Sequence, residues 1–289
     1  MKSCLECIPC FVRQTLDAAR MATDNEELHE RILKHVLSDL QEIDWAQSPP
    51  EVAARIHRII REHTDAVDPY RDIKDHSTRK AEELCAKWGG ASLRNGDSFD
   101  KAARLAIAGN IIDFGAKRSV SDDEIEAAIT DSLDAPIAGD GIAALQAEVE
   151  AADSILYLAD NAGETVFDRL FIGQMPREKV TYVVKGVPCI NDATLEDAQQ
   201  AGLTEIVEVI DNGSDAPGTV LPTCSKEFVD RFYGSDLVIS KGQGNYESLS
   251  HVNHNIAFLL KAKCAPVAED AGCEVGSLVI RIRKTTNSK

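Results

Sequence analysis

The sequence predicts an α/β protein in two parts: a mainly helical portion over residues 1–150 and an α/β portion over 151–289 built on a mostly parallel sheet. Three observations carry this. Apolar residues recur at helical spacing through the first half, as at Ile32, Val36, Leu37 and Leu40. From residue 153 onward, short apolar runs alternate with stretches of helical spacing, the pattern of strand–helix–strand units. Those runs are apolar throughout, as strands are in a parallel sheet covered on both faces.

The helical portion reads as segments over 10–21, 26–40, 50–62, 75–88, 98–114, 121–132 and 141–152. Asp24 precedes Glu26 and Glu27, a cap with acids in the first turn, and Gly89-Gly90 and Gly115 are natural stops. In the second part the strands read as 154–158, 180–184, 205–210, 237–239, 256–263 and 277–282, with helices over 164–172 and 193–201. Internal repeats and low-complexity tracts are absent.

Composition narrows the function. A chain of 289 residues with 44% hydrophobic and 27% charged residues is an ordinary globular one. At its length, folding buries about 73% of the unfolded chain's surface. Acidic residues number 48 against 31 basic ones, a formal charge of −17. Such a surface repels a phosphate backbone, so nucleic acid is a poor partner. No run approaches the roughly 20 apolar residues of a membrane helix, so no membrane partner is expected. Eight cysteines in a long chain that starts Met1-Lys2-Ser3-Cys4 point to a reducing cytoplasm. Oligomeric state is not legible.

Ligands of open parallel sheets bind beyond the carboxyl ends of the strands. Four strands here are followed by Asp160-Asn161-Ala162-Gly163-Glu164, by Lys185 through Asp192, by Asp211-Asn212-Gly213-Ser214, and by Ser240-Lys241-Gly242-Gln243-Gly244-Asn245. Any one such turn has a purely conformational explanation. Four together, two with a lysine, suit phosphate handling with a hard metal. Carboxylate and amide oxygens bind Mg²⁺ or Mn²⁺, and lysine binds phosphate as a point charge. Neither a P-loop nor a G-x-S-x-G elbow is present.

Leu158 through Glu164, Lys185-Gly186-x-Pro188-x-x-Asn191-Asp192-Ala193-Thr194 and Ser240 through Glu247 resemble motifs of the metal-dependent damage-control phosphatases. Gly109-Asn110-Ile111-Ile112-Asp113-Phe114 and Cys4-x-x-Cys7-x-x-Cys10 resemble the prokaryotic branch of that family. The resemblance implies a three-layer α/β/α sandwich beside a helical portion, and hydrolysis of small phosphorylated metabolites. It implies a divalent metal on Asp160, Asn161 and Asp192, with Mn²⁺ first and Mg²⁺, Co²⁺ or Ni²⁺ as alternatives. It further implies Lys241 at the phosphate with Asn110 nearby, and Lys185 and Glu164 as further substrate contacts. Asp160, Asn161, Asp192 and Lys241 would carry the chemistry, by an activated water or by direct carboxylate attack. The alternatives are a protein that binds a phosphometabolite without hydrolysing it, and a methyltransferase.

Other candidates compete with plain structural roles. Cys4, Cys7 and Cys10 would supply a separate metal, a redox pair or simple packing. His251 and His254 stand three apart, and Cys189 lies between Lys185 and Asp192. His29, His35, His57, His63 and His76 fall in charged helices, where solvation is expected.

Overall fold

A computed structural model describes residues 1–92, 98–109, 127 and 130–286. The first three helices, α1 (Cys7–Ala22), α2 (Glu26–Gln41) and α3 (Pro49–His63), pack on one another around Phe11, Ile32, Val36, Ile56 and Ile60. Local signals fix their starts. Asn25 accepts from the backbone N–H groups of Glu27 and Leu28, and Ser48 with Glu51 forms a capping box ahead of Pro49. His57 is buried in this bundle rather than solvated. Burial, reinforced by Arg61, lowers its pKa to about 4, so it is neutral.

Helix α4 (Arg71–Ser92) runs through Gly89-Gly90 rather than stopping there, and α5 (Ser98–Ala108) follows. The remainder of the predicted 98–114 segment, most of 121–132, and Asn110 with the residues after it lie outside the described residues.

Seven strands form one sheet: β1 (Ile137–Gly139), β2 (Ile155–Leu158), β3 (Val180–Val184), β4 (Glu208–Asp211), β5 (Leu237–Lys241), β6 (Ile256–Lys261) and β7 (Leu278–Arg283). Their order is β1-β7-β6-β5-β2-β3-β4. All pairings are parallel except β6 with β7. The sheet thus takes in residues before 150, through β1 and through α6 (Gly141–Ala151), which packs on β7. β1 has three residues and no apolar run, so its strand character comes from pairing with β7 alone.

Strand residues point alternately to two cores. Tyr157, Tyr182, Ile239 and Leu259 face α5, α6, α7 (Thr165–Ile172) and α8 (Leu195–Gln200). Leu156, Val183, Val238 and Phe258 face α9 (Lys226–Gly234), α10 (Gln243–Leu249) and α11 (Ala265–Ala271). This is the three-layer α/β/α sandwich. Each such strand residue is almost fully buried, worth about 1.5–3 kcal/mol apiece for the larger apolar ones. The chain passes from β2 outward to β3 and β4, then returns to place β5 on the other side of β2. A topological switch point therefore opens between the carboxyl ends of β2 and β5.

Candidate active site

The turn after β2 and the turn after β3 are laced together by their backbones. Ala193 N–H donates to Asp160 O at 2.8 Å, and Ala162 N–H donates to Asn191 O at 2.9 Å. Asn161 and Asp192 face each other in an isolated bridge. The three residues expected as metal ligands, from two turns 31 residues apart, are thereby brought to one place. Ile190 in the second turn has φ 50°, a strained value for a β-branched residue, costing on the order of 1–3 kcal/mol. Its side chain packs on the α1–α3 bundle, which holds the strained turn in place.

The turn after β5 closes the site from the opposite side of β2. Gly242 has φ 80°, and a β-carbon there would stand 1.9 Å from Asp160 Oδ2, so only glycine fits beneath that carboxylate. Asn245 donates to Ala159 O at 2.9 Å and Lys241 O at 2.8 Å, tying the ends of β2 and β5 together. Gly109, from the early motif, also reaches the site, since its β-carbon would lie 3.5 Å from Glu164 Cγ. The turn after β4 behaves differently. Asn212 spends its Oδ1 on the N–H groups of Gly186 and Ser214, a conformational role.

Side-chain bonds are dense. Asn161 Nδ2 donates to Asp160 Oδ2 at 3.1 Å and to Glu164 Oε1 at 2.7 Å. With its NH₂ committed to carboxylates, Asn161 keeps its oxygen as the atom available to a cation. Lys241 Nζ donates to Glu164 Oε2 at 3.0 Å and to Asp168 Oδ1 at 2.7 Å. Asp168 was not a sequence candidate. Its only signal was its place four residues after Glu164 on one helix face. Lys185 Nζ donates to Gly218 O and lies 3.4 Å from Asp192 Oδ2. That contact is an ion pair without hydrogen-bond geometry, and Asp192 Oδ2 is buried with no hydrogen-bond partner.

The electrostatics are unbalanced. Asp160, Glu164, Asp168 and Asp192 are buried, and so are Lys185 and Lys241, so four carboxylates meet two lysines. Burial pushes the Asp160 carboxyl well above its usual range, and Glu164 and Asp192 push it further. Burial raises Asp192 too, against the pull of Lys185. Burial alone would lower Lys241, but Asp168 and Glu164 overcome it and raise its pKa. Lys263, exposed just after β6, also acts on Asp160 and was missed by the sequence reading.

A hard divalent cation fits this donor set. Asp160, Asp192 and the amide oxygen of Asn161 are oxygen donors, and the buried Asp192 Oδ2 accepts no hydrogen bond and meets only the Lys185 ion pair. Among the described residues no group of three or more His, Cys, Asp or Glu side chains is placed to hold a metal ion by itself.

A model of the damage-control phosphatase ARMT1-like domain matches residues 4–279. The chain belongs to that family. It is 34% identical to a damage-control phosphatase of Pyrococcus horikoshii over 96% of this chain and 97% of that protein. It is 33% identical to one of Archaeoglobus fulgidus over 96% and 97%. An uncharacterized protein of Methanocaldococcus jannaschii is 36% identical over 95% of this chain and 93% of its own length. The crystal structure of a DUF89 family protein from P. horikoshii superposes with TM-score 0.89 at 33% identity, covering 98% of this chain and all of that one.

Cys189 stays beside this centre, with Asp192 and Lys185 among its charged neighbours, and the other candidates take other roles. Cys4 Sγ and Cys7 Sγ are 3.6 Å apart, while Cys10 stands exposed. All eight cysteines are free thiols. The amino terminus folds over α10, where Met1 donates to Glu247 O and to Ser250 Oγ. Cys189 is buried, which raises its thiol pKa and keeps it protonated. His254 stacks on Phe232 with ring centroids 5.2 Å apart, whereas His251 is exposed, so the two histidines do not act as a pair. No helix among the described residues is long and apolar enough to cross a membrane.

Proposed function

We propose that this chain is a metal-dependent phosphatase acting on small phosphorylated metabolites. The observation that carries the reading is the buried, carboxylate-rich cluster at the β2/β5 switch point, with Asp192 Oδ2 lacking a hydrogen-bond partner. Family membership and relatives named damage-control phosphatases support the same reaction class.

Asp160 and Asp192 would hold the cation through carboxylate oxygens and Asn161 through its amide oxygen. Mn²⁺ is the metal we would test first, with Mg²⁺, Co²⁺ and Ni²⁺ as alternatives. When bound, a divalent cation neutralises phosphate charge and lowers the pKa of a coordinated water. Lys241 and Lys185 add fixed positive charge where charge develops on the phosphoryl oxygens. Glu164 orients Asn161. Asp160 and Asp192 would both be engaged as ligands, which favours a water nucleophile over an aspartyl-phosphate. Asn110, outside the described residues, remains a proposed phosphate contact on the family resemblance alone.

The test is a screen of phosphorylated metabolites with Mn²⁺, with and without chelator. Phosphate release that requires the metal is expected. Metabolite binding without release under every metal would establish the non-catalytic reading.

A further inference from the structure

Lys241 is sealed from solvent, and the groups that seal it form a continuous chain into the candidate metal ligands. We propose that Asp168 is a positioning residue of this site: with Tyr157 and Tyr182 it clamps Lys241 against Glu164, and the clamp fixes the orientation of Asn161 beside Asp160. The inference rests on the functional reading above and extends it to residues outside the expected motifs.

Tyr157 and Tyr182 are direct partners across β2 and β3, so their side chains leave the sheet together. Their rings stack at 5.4 Å, and both hydroxyls reach Asp168. Tyr157 donates to Oδ1 at 2.7 Å and Tyr182 to Oδ2 at 2.8 Å. Lys241 adds its bond at 2.7 Å to Oδ1, so both oxygens of Asp168 are taken and the carboxylate cannot turn without losing a bond. Glu164 caps α7 and Asp168 lies in its first turn, where the two repel each other, and Lys241 between them turns that repulsion into a bridge. Glu164 is then held at one oxygen by Lys241 and passes the constraint through the other to Asn161. Asn161 in turn touches Asp160.

A staple between helix and sheet would need only a matched pair. Here two carboxylates share one lysine, so the bridge carries more negative than positive charge. Removing the Asp168 charge would leave Lys241 to Glu164 alone. It would also free a buried ammonium to reorient. Two of the three protons of Lys241 are committed among the described residues, so at most one serves a phosphate.

The test compares Asp168→Asn, Tyr157→Phe with Tyr182→Phe, and Asp168→Glu. Mn²⁺ binding is read by calorimetry, release from p-nitrophenyl phosphate by kinetics, and folding by thermal melts. Asp168→Asn should weaken Mn²⁺ binding about tenfold and lower kcat about 10–100-fold, with KM less affected. The double tyrosine variant keeps the charge, so Mn²⁺ affinity should change less than kcat. Asp168→Glu should recover part of the Mn²⁺ affinity. A folded Asp168→Asn protein with Mn²⁺ affinity and kcat within about twofold of the parent overturns the proposal. Should Asp168→Asn not fold, the double tyrosine variant decides by the same kcat criterion. The side-chain amide resonance of Asn161 in metal-free protein reads the clamp independently. If it is unchanged in either variant the clamp is wrong, whatever the parent does with Mn²⁺. A parent that neither binds Mn²⁺ nor releases phosphate overturns the function instead.

Discussion

Two clusters of buried charge lie within this molecule, and they behave oppositely. Between α4 and α8, Lys74 and Asp197 are both fully buried and 2.7 Å apart. Arg71 adds a second bond to Asp197 at 2.5 Å, and the Thr194 hydroxyl donates at 2.7 Å. Burial alone would raise Asp197, but Lys74 and the hydrogen bonds outweigh it and lower its pKa. At the switch point, Asp160, Asp168 and Asp192 are all raised. Both clusters are buried at their centres and hydrogen-bonded, so burial is not the difference. The first is matched charge for charge at its centre, whereas the second has carboxylates in excess. A surplus of buried negative charge is unfavourable in the free protein, and it persists where something positive is meant to arrive.

The comparison breaks most sharply at Asp160. Asp160→Ala should abolish Mn²⁺-dependent phosphate release, a loss on the order of 10³-fold or more. It should not unfold the protein. The folded-state pKa of Asp160 lies above its unfolded value, so between the two the native state binds the extra proton and stability falls as pH rises. Asp160→Asn should therefore raise the melting temperature of metal-free protein at pH 8, and Mn²⁺ should no longer raise it further. An active Asp160→Ala enzyme would remove the metal assignment.

Lys74 is the converse case. Lys74→Met leaves Asp197 buried without its main partner, at a cost of about 3–5 kcal/mol. Urea denaturation at pH 7 reads this directly. A loss under about 1 kcal/mol would mean that Arg71 and Thr194 suffice.

The sequence made the switch-point residues visible because each sits directly after an apolar run, and Gly242 and Asn191-Asp192 mark turns. The same logic over-read the turn after β4, whose Asn212 and Gly213 only shape the chain. Asp168, Tyr157 and Tyr182 were invisible for a physical reason. They lie inside a helix and inside strands, where a polar group gains meaning only from what packs against it. β1 and the antiparallel pairing of β7 were illegible likewise, because three residues carry no periodicity and strand direction depends on the return path of the chain. His57 carries the charged look of its helix neighbours but sits on the buried stripe of α3.

Glu247 sharpens the comparison as an intermediate. It is buried, it accepts from Gln243 Nε2 at 2.9 Å, and burial raises its pKa to about 7 from an ordinary 4.5. The folded value exceeds the unfolded one, so its contribution is lost as pH climbs from about 4.5 to 7. Glu247→Gln should flatten that part of the stability curve and add up to about 3 kcal/mol at pH 8. Equal slopes for parent and variant between pH 5 and 8 would show that Glu247 titrates normally.

The smallest effect is expected where no charge is buried at all. Cys4, Cys7 and Cys10 lie where the amino terminus crosses α10, closer to the helix that follows Lys241 than their sequence position suggests. Burial pushes the Cys7 thiol up to about 12, so it is protonated and neutral at pH 7. Soft thiols and the hard oxygen donors of the switch point select different cations, which keeps the two chemistries apart. Replacing all three cysteines by serine should cost about 1 kcal/mol of stability and leave Mn²⁺-dependent turnover per folded molecule within about twofold. Metal analysis of the purified parent separates packing from a cation: zinc in the parent, lost in the variant together with several kcal/mol, would assign a second metal to the cysteines. Turnover lost while folding and Mn²⁺ binding stay intact would instead carry the thiols into the reaction, and the separation of soft thiols from hard oxygen donors would fail.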